Sequence, residues 1–269
     1  MDNNEKLLQQ LKEALVAIKK LKGDLNAERE KSYEPIAIIG MAMRFPGDIN
    51  DEKKYWEVLE SGFDAITDIP TNRFNYKDLY TENPDDLGKI TLKQGGFLNN
   101  IDKFDGSFFD ISYAELENLD PQQRLGLEVT YEALENAGID VRKLVDSDTS
   151  VFAGITNIDY QSKSFRTGDF TSINHYSYSG QALCANSGRI SYLFGLQGPS
   201  ITIDTACSSS LVATDLAVKS LRNNDSSLAI VTACNLILDP ELTIYFSHLN
   251  ALSKNSRCKS FSNEGNGFV

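Results

Sequence analysis

Residues 201–221 place a strand and a helix in direct succession, and this junction constrains the fold more than any other stretch. Ile201 and Ile203 alternate with polar residues, which is the two-residue period of a strand. From Leu211 to about Leu221 the apolar residues recur at helical spacing instead. Cys207 stands at the changeover. A strand that passes directly into a helix is typical of α/β folds.

The rest of the chain continues this alternation of strands and helices. The apolar pattern predicts a buried strand at 36–39 and short strands at 150–156 and 227–235. Helices are predicted over 51–62 and 120–138, and a Gly closes each pattern. In the second helix, Asp120 suits the N-cap and Pro121 the first helical position. We therefore expect an α/β fold whose sheet is largely covered by helices.

The first 32 residues predict a separate helix with a coiled-coil stripe. Its flanking positions are rich in Lys and Glu, and it could reach roughly 40 Å at 1.5 Å per residue. Such a stripe requires a partner helix, although packing against the chain's own domain is an alternative. The stripe residues are Leu8, Leu15 and Lys22 at one heptad position and Leu11, Ile18 and Leu25 at the other.

Composition excludes several classes of function. The formal net charge of −12 argues against general nucleic-acid binding, which requires clustered Lys and Arg. No apolar run approaches the length of a membrane span, and the polar N-terminus is no secretory signal. The four cysteines form no CxxC pair, so neither a zinc site nor a disulfide framework is predicted. A cytoplasmic location with reduced thiols is expected.

Cys207 is the candidate nucleophile. At the start of a helix, free backbone N–H groups and the helix dipole would stabilise its thiolate and lower its pKa below the reference value of about 8.5. The same N–H groups could bind an oxyanion formed when the sulfur attacks a carbonyl. The alternative is that Cys207 is a buried, inert residue, as most cysteines are.

The other cysteines and the two histidines receive no catalytic role. We interpret Cys184, Cys234 and Cys258 as structural, because they lack the strand-to-helix setting. A cysteine nucleophile normally requires a base. His248 is interpreted as a surface residue of a helix or loop, and neither it nor His175 is assigned as that base.

Several motifs in order resemble those of β-ketoacyl synthases, in the type I polyketide synthase branch. The resemblance runs from Glu34 to Val269 and includes EPIAIIGMAMRFPG, LDPQQRLGLEVTYEALENAGID and GPSITIDTACSSSLVA. It implies a thiolase-like αβαβα fold, of which residues 34–269 would be the N-terminal half, and a homodimer. The segment 1–32 resembles the docking helices that precede ketosynthases, and would receive an upstream synthase subunit.

The resemblance also implies the chemistry. Cys207 would accept an acyl chain from the phosphopantetheine arm of an acyl carrier protein, with no cofactor bound directly. In the complete enzyme, a malonyl-type extender would lose CO₂ and attack this thioester in a Claisen condensation.

The sequence departs from the family pattern at its end. The family's two catalytic histidines lie in HGTGT-like and HNxGH-like motifs, and neither motif nor the family's later lysine is present. We therefore expect a ketosynthase cut near its middle, able at most to be acylated on Cys207, with apolar surface exposed. Two alternatives stay open: a non-condensing domain that binds acyl chains as a scaffold, and a cysteine hydrolase with a base elsewhere.

Overall fold

The structure is a computed structural model that describes the backbone of residues 3–269. It describes the side chains of residues 5–26, 33–163 and 165–269. Residues 1–2 and the side chains at both ends of the predicted 1–32 segment therefore lie outside the described residues.

Helices account for most of the regular structure. The α-helices are α1 Asn3–Ser32, α2 Glu52–Ser61, α3 Tyr76–Leu79, α4 Tyr113–Leu116, α5 Pro121–Asn136, α6 Asp159–Phe165, α7 Ala185–Phe194, α8 Ser209–Arg222 and α9 Glu241–His248. Short 3₁₀ turns occur at Val141–Lys143, Phe170–Ser172 and Ala206–Ser208.

The main sheet is parallel. The strands of the chain are β1 Thr67–Asp68, β2 Gln94–Gly95, β3 Ser150–Ile155, β4 Ser200–Ile203 and β5 Ala229–Cys234. In the main sheet β3 is central, with β4 on one side and β5 on the other, whereas β1 and β2 form a separate antiparallel pair. Because β3, β4 and β5 are parallel, their carboxyl ends lie at one edge of the sheet.

Helices cover both faces of this sheet. Leu127 and Leu134 of α5 pack with Ile190 of α7 and Val151 of β3 in the larger core cluster. On the opposite face, α8 packs on the sheet, and Phe152 of β3 belongs to the smaller cluster. The resulting three layers agree with one half of a thiolase-like fold, and the predicted strands at 150–156 and 227–235 are confirmed.

Local signals set the bounds of α2 and α5 as predicted. The Asp51 side chain accepts a hydrogen bond from the first turn of α2, and Gly62 ends that helix with a φ of 65°. Asp120 caps α5 and Pro121 is its first residue, where a missing N–H costs nothing.

The predicted strand at 36–39 is wrong. Residues 34–44 contain no strand, and Ile38 is 82% exposed. The segment is held by α5 instead, because Gly40 fits tightly against Ala133 and the Met41 N–H donates to the Asn136 side chain at 3.0 Å. A cavity of about 1180 Å³ lies between this segment, α5, α8 and β5.

Helix α1 is confirmed, and its apolar stripe is bare. Its 30 residues span about 45 Å at 1.5 Å per residue. The described part of the stripe does not pack against the domain in this structure, because every large apolar side chain described on α1 is more than half exposed. These side chains are Leu7, Leu8, Leu11, Leu15, Val16, Ile18, Leu21 and Leu25.

Exposed apolar surface is not confined to α1. Phe170, Tyr192 and Leu211 are each more than two-thirds exposed, as expected for an α/β unit with an uncovered face. Across the part of the chain that the structure describes, no helix combines the length and the apolar character needed to cross a bilayer.

Candidate active site

Cys207 lies where the sequence places it, between a strand and a helix. Strand β4 ends at Ile203, a 3₁₀ turn covers Ala206–Ser208, and α8 begins at Ser209. The Cys207 side chain is exposed as a free thiol. We call residues 204–209 the Cys207 turn. The sealed apolar environment of an inert cysteine is therefore excluded for this residue.

The Cys207 turn contains a strained residue. Ala206 has a φ of 54°, a left-handed conformation that costs a residue with a Cβ about 1 kcal/mol. Asp204 Oδ1 accepts the Ala206 N–H at 2.9 Å, and Ser209 Oγ donates to the Ala206 carbonyl oxygen at 2.7 Å. Ser209 Oγ also accepts the Thr205 N–H at 2.9 Å. Side chains thus hold both backbone polar groups of the strained residue.

A glycine brings α8 close to the sheet. A Cβ on Gly154 of β3 would lie 2.9 Å from the backbone of both Ser209 and Ser210. Only a residue without a side chain fits there, so Gly154 allows the first residues of α8 to rest directly on β3. This contact fixes the height of the Cys207 turn above the sheet.

The turn leaves one backbone donor available. Within the described residues, the Cys207 N–H makes no hydrogen bond. An N–H beside an exposed sulfur is the arrangement that stabilises an oxyanion when the sulfur attacks a carbonyl carbon.

A buried polar network lies at the same edge of the sheet. The Gln122 Nε2 donates to the Asn157 carbonyl oxygen at 2.9 Å, and the Asn157 Nδ2 donates to the Leu236 carbonyl oxygen at 2.7 Å. The Leu236 N–H in turn donates to Gln122 Oε1 at 3.3 Å. The network joins the start of α5 to the segments that follow β3 and β5.

Two carboxyl groups of this region are buried. Burial raises the pKa of Asp120 to about 6, against hydrogen bonds from Gln122 that lower it. Burial also raises the pKa of Asp159, which accepts the N–H groups of Leu238 and Asp239. The sequence gives no signal for these shifts, because they arise from segments far apart in the chain.

The other three cysteines lie in different surroundings, and none of them follows a strand as Cys207 does. Cys184 is exposed at the N-cap of α7, so it shares a helix N-terminus and solvent access with Cys207. Cys258 is exposed as well, and its sulfur accepts the Val269 N–H at 3.4 Å. Burial and the Asp120 carboxylate raise the pKa of Cys234 to about 12, which agrees with an inert role for that residue.

Neither histidine is joined to the candidate nucleophile. His175 is exposed, with its ring 4.0 Å from that of Tyr176, and His248 is the last residue of α9. No hydrogen bond links Cys207 to either ring among the described residues. The described residues contain no group of three His, Cys, Asp or Glu that could hold a metal ion.

Sequence reasoning missed the residues that shape the turn. Asp204 could have been found, because an Asp two residues before a turn N–H is a common turn motif. Gly154 and Thr156 could not, since their contacts with the turn join positions some 50 residues apart.

Comparison with known proteins places this arrangement in a family. Residues 33–269 match the model described as "Beta-ketoacyl synthase, N-terminal domain". The chain is 40% identical over 268 residues to the polyketide synthase GfsB of Streptomyces halstedii, covering 99% of this chain and 5% of that protein. It is 39% identical over 269 residues to the erythronolide synthase EryA2 of Saccharopolyspora erythraea, covering 100% of this chain and 7% of that protein.

Solved structures agree. A ketosynthase from module 6 of the bacillaene synthase of Bacillus subtilis 168 is 37% identical, with a TM-score of 0.74 over 87% of this chain and 37% of that one. An oxazolomycin ketosynthase domain from Streptomyces albus is 32% identical, with a TM-score of 0.80 over 88% of this chain and 41% of that one. With its cysteine at the strand-to-helix turn and its match from residue 33 onward, the chain belongs to the β-ketoacyl synthase family, as an N-terminal domain of the polyketide synthase type.

Proposed function

We propose that Cys207 accepts an acyl chain from a carrier-bound thioester, as the loading step of a polyketide ketosynthase. The observation that carries this proposal is the exposed thiol of Cys207 beside its own unbonded N–H, in a chain of this family. A thioester substrate suits a cysteine, because exchange between two thiols is nearly balanced in energy and keeps the acyl group activated.

The step is an exchange between two sulfur atoms. The Cys207 thiolate attacks the thioester carbonyl carbon, forming a carbon–sulfur bond while the carbonyl electron pair moves to oxygen. The Cys207 N–H stabilises that oxyanion. Collapse of the intermediate breaks the bond to the donor sulfur, which leaves as a thiolate and takes up the proton that Cys207 lost.

The donor is the phosphopantetheine arm of an acyl carrier protein, and the complete enzyme then condenses the bound chain with a malonyl-type extender by decarboxylation. The chain spans 5–7% of the length of the synthases quoted above, so condensation is proposed for the whole enzyme. The cytoplasm is the proposed compartment, because a reactive free thiol persists in reducing surroundings.

Two surfaces support the proposed partners. Strand β4 pairs only with β3 among the described residues, and Ile201 on it is exposed, so its outer edge offers a site for pairing in a homodimer. The bare stripe of α1 is the proposed site of pairing across that dimer and of docking an upstream synthase subunit.

Acyl transfer is tested by incubating the wild type, Cys207→Ala and Cys184→Ala with an acyl N-acetylcysteamine thioester. Intact mass and peptide mapping should show one acyl group on the wild type and on Cys184→Ala, and none on Cys207→Ala. Continuous release of free acid would instead favour a hydrolase. An unlabelled but folded wild type would favour the acyl-binding scaffold.

Docking is tested separately by deleting residues 1–32. The deletion should weaken binding to the C-terminal segment of an upstream synthase subunit in a titration. Unchanged affinity would remove α1 from the proposal without affecting the chemistry of Cys207.

A further inference from the structure

Thr156 follows β3, and its side chain reaches the neighbouring strand's end. Its hydroxyl donates to Asp204 Oδ1 at 3.0 Å. The same oxygen accepts the Ala206 N–H at 2.9 Å. One carboxylate oxygen therefore joins the end of β3 to the strained residue that precedes Cys207.

The orientation of Asp204 matters because Ala206 is held in an unfavourable conformation. A residue with a Cβ at a φ of 54° persists only where its surroundings over-determine it. Ser209 holds the carbonyl side of Ala206, and Asp204 holds its N–H side. Ser209 is buried in α8, whereas Asp204 is exposed and is the less constrained of the two side chains. Its second partner, besides the Ala206 N–H, is Thr156.

We propose that Thr156 is a positioning residue for Cys207: its hydroxyl orients the Asp204 carboxylate, which holds the turn that places the Cys207 sulfur and N–H. The inference rests on the acyl transfer proposed above. Thr156 has no contact with the reacting atoms and acts through Asp204. Its hydroxyl also lies 3.3 Å from Ser209 Oγ, so the test must separate these two routes to the turn. Loss of its hydroxyl lets the turn relax and moves the Cys207 N–H away from the oxyanion.

The test compares Thr156→Val, which keeps the shape of the side chain, with Thr156→Ser, which keeps the hydroxyl. Single-turnover acylation of Cys207 at saturating acyl N-acetylcysteamine thioester should slow about 10-fold in Thr156→Val. Thr156→Ser should stay within about 3-fold of the wild type, because it preserves the hydrogen bond. The thioester concentration at half-saturation should change little in either variant.

Alkylation by iodoacetamide separates a specific effect on the oxyanion from a general disturbance of the turn, because a general disturbance would slow alkylation as well as acylation. Alkylation uses the same sulfur but forms no oxyanion, so Thr156→Val should slow acylation about 10-fold more than alkylation. Equal slowing of both reactions would overturn the proposal. So would a Thr156→Val protein that acylates like the wild type.

Action through Asp204 is tested by a double-mutant cycle. Asp204→Ala should slow acylation at least as much as Thr156→Val, and Thr156→Val should add nothing in the Asp204→Ala background. Additive losses would show that Thr156 acts by another route, such as its contact with Ser209 Oγ, and would overturn the proposal. Both side chains are exposed, so these variants are expected to fold. If Thr156→Val does not fold, Asp204→Ala still tests whether the turn controls acylation. If the wild type is not acylated on Cys207, the proposed function and this inference fail together, whereas a wild-type-like Thr156→Val overturns the inference alone.

Discussion

Helices α7 and α8 both pack against β4, and each begins beside an exposed cysteine. Cys184 at α7 has a φ of −60° and a ψ of −23°, so it simply continues into the helix. Cys207 at α8 follows a residue with a φ of 54°. Helix α7 follows a series of turns, whereas α8 follows strand β4 after one short 3₁₀ turn.

The supports of the two cysteines also differ. The N–H groups of residues 185–187 donate to two backbone carbonyls of the preceding turn and to the Thr202 hydroxyl, at 3.0–3.2 Å. The Cys207 turn is held by the side chains of Asp204 and Ser209, with Gly154 beneath it. Exposure at a helix start is therefore shared by both thiols, and the side-chain support of a strained turn is what singles out Cys207.

The largest expected difference is in the reaction with a thioester. Both exposed cysteines should alkylate with iodoacetamide, because that reaction requires only an accessible thiol. The N–H groups of Cys184 and Cys207 both make no hydrogen bond among the described residues. Only the Cys207 N–H lies in a turn that side chains hold in place. Acylation relative to alkylation should therefore be about 100-fold faster at Cys207 than at Cys184, which is the value of one well-aligned oxyanion donor. Peptide mapping of wild-type protein measures both ratios at once. Similar acylation-to-alkylation ratios at Cys184 and Cys207 would show that the Cys207 turn gives no advantage in acylation.

The buried carboxyl group of Asp120 makes the stability of the protein depend on pH, and this limits the pH range in which the two thiols can be compared. Because burial raises its pKa from 3.8 to about 6, the folded state binds its proton more tightly than the unfolded state does. This contribution to stability is complete below pH 3.8 and is lost as the pH rises through 6, with a total of about 3 kcal/mol.

The change in the free energy of unfolding caused by Asp120→Asn should therefore be more favourable at pH 7 than at pH 4. Asn keeps the cap acceptor for the Gln122 N–H. Urea unfolding at both pH values checks this, and parallel pH dependences would show that the carboxyl group is not buried as described. Thiol profiles are best recorded above pH 7, where the Asp120 contribution no longer changes.

Gly154→Ala tests the contact beneath α8. The added Cβ must displace the backbone of Ser209 and Ser210, so we expect a loss of about 2 kcal/mol in the free energy of unfolding and slower acylation. Gly188→Ala in α7 is the matched control, because its Cβ would meet open space and helical Ala is favoured over Gly by about 1 kcal/mol. Equal stability changes in the two helices would contradict the close approach of α8 to β3.

The smallest effects should have opposite signs at the two turns. Ala206→Gly removes the strain at a φ of 54° and should stabilise the protein by up to about 1 kcal/mol. Ala185→Gly, at the first residue of α7, should destabilise it by up to about 1 kcal/mol. Thermal unfolding of both variants measures the pair. A loss at both positions would show that Ala206 is not strained.

The sequence predicted those features correctly that depend on interactions between residues close together in the chain. The junction at Cys207 follows from a change of apolar period, and the bounds of α5 follow from Asp120 and the adjacent proline. The helix of α1 follows from its heptads in the same way.

Sequence-based prediction failed where distant segments compete. Residues 36–39 have the composition of a strand, but contacts of Gly40 and Met41 with α5 hold the segment away from β5. The link from Thr156 to Asp204 depends on strand order, which a single sequence does not encode locally.

The three-stranded sheet is open at both margins, since β4 and β5 have no outer neighbour among the described residues. A purified sample of this chain can therefore associate by strand addition at either margin, and only addition at β4 pairs the strand that leads into the Cys207 turn. A measurement of size alone would not distinguish association at β4 from association at β5. A short cross-link placed on β4 would detect the former, and one placed on β5 the latter. Because both margins of the sheet can pair, the oligomeric state must be measured and matched before rates at Cys207 are compared between preparations.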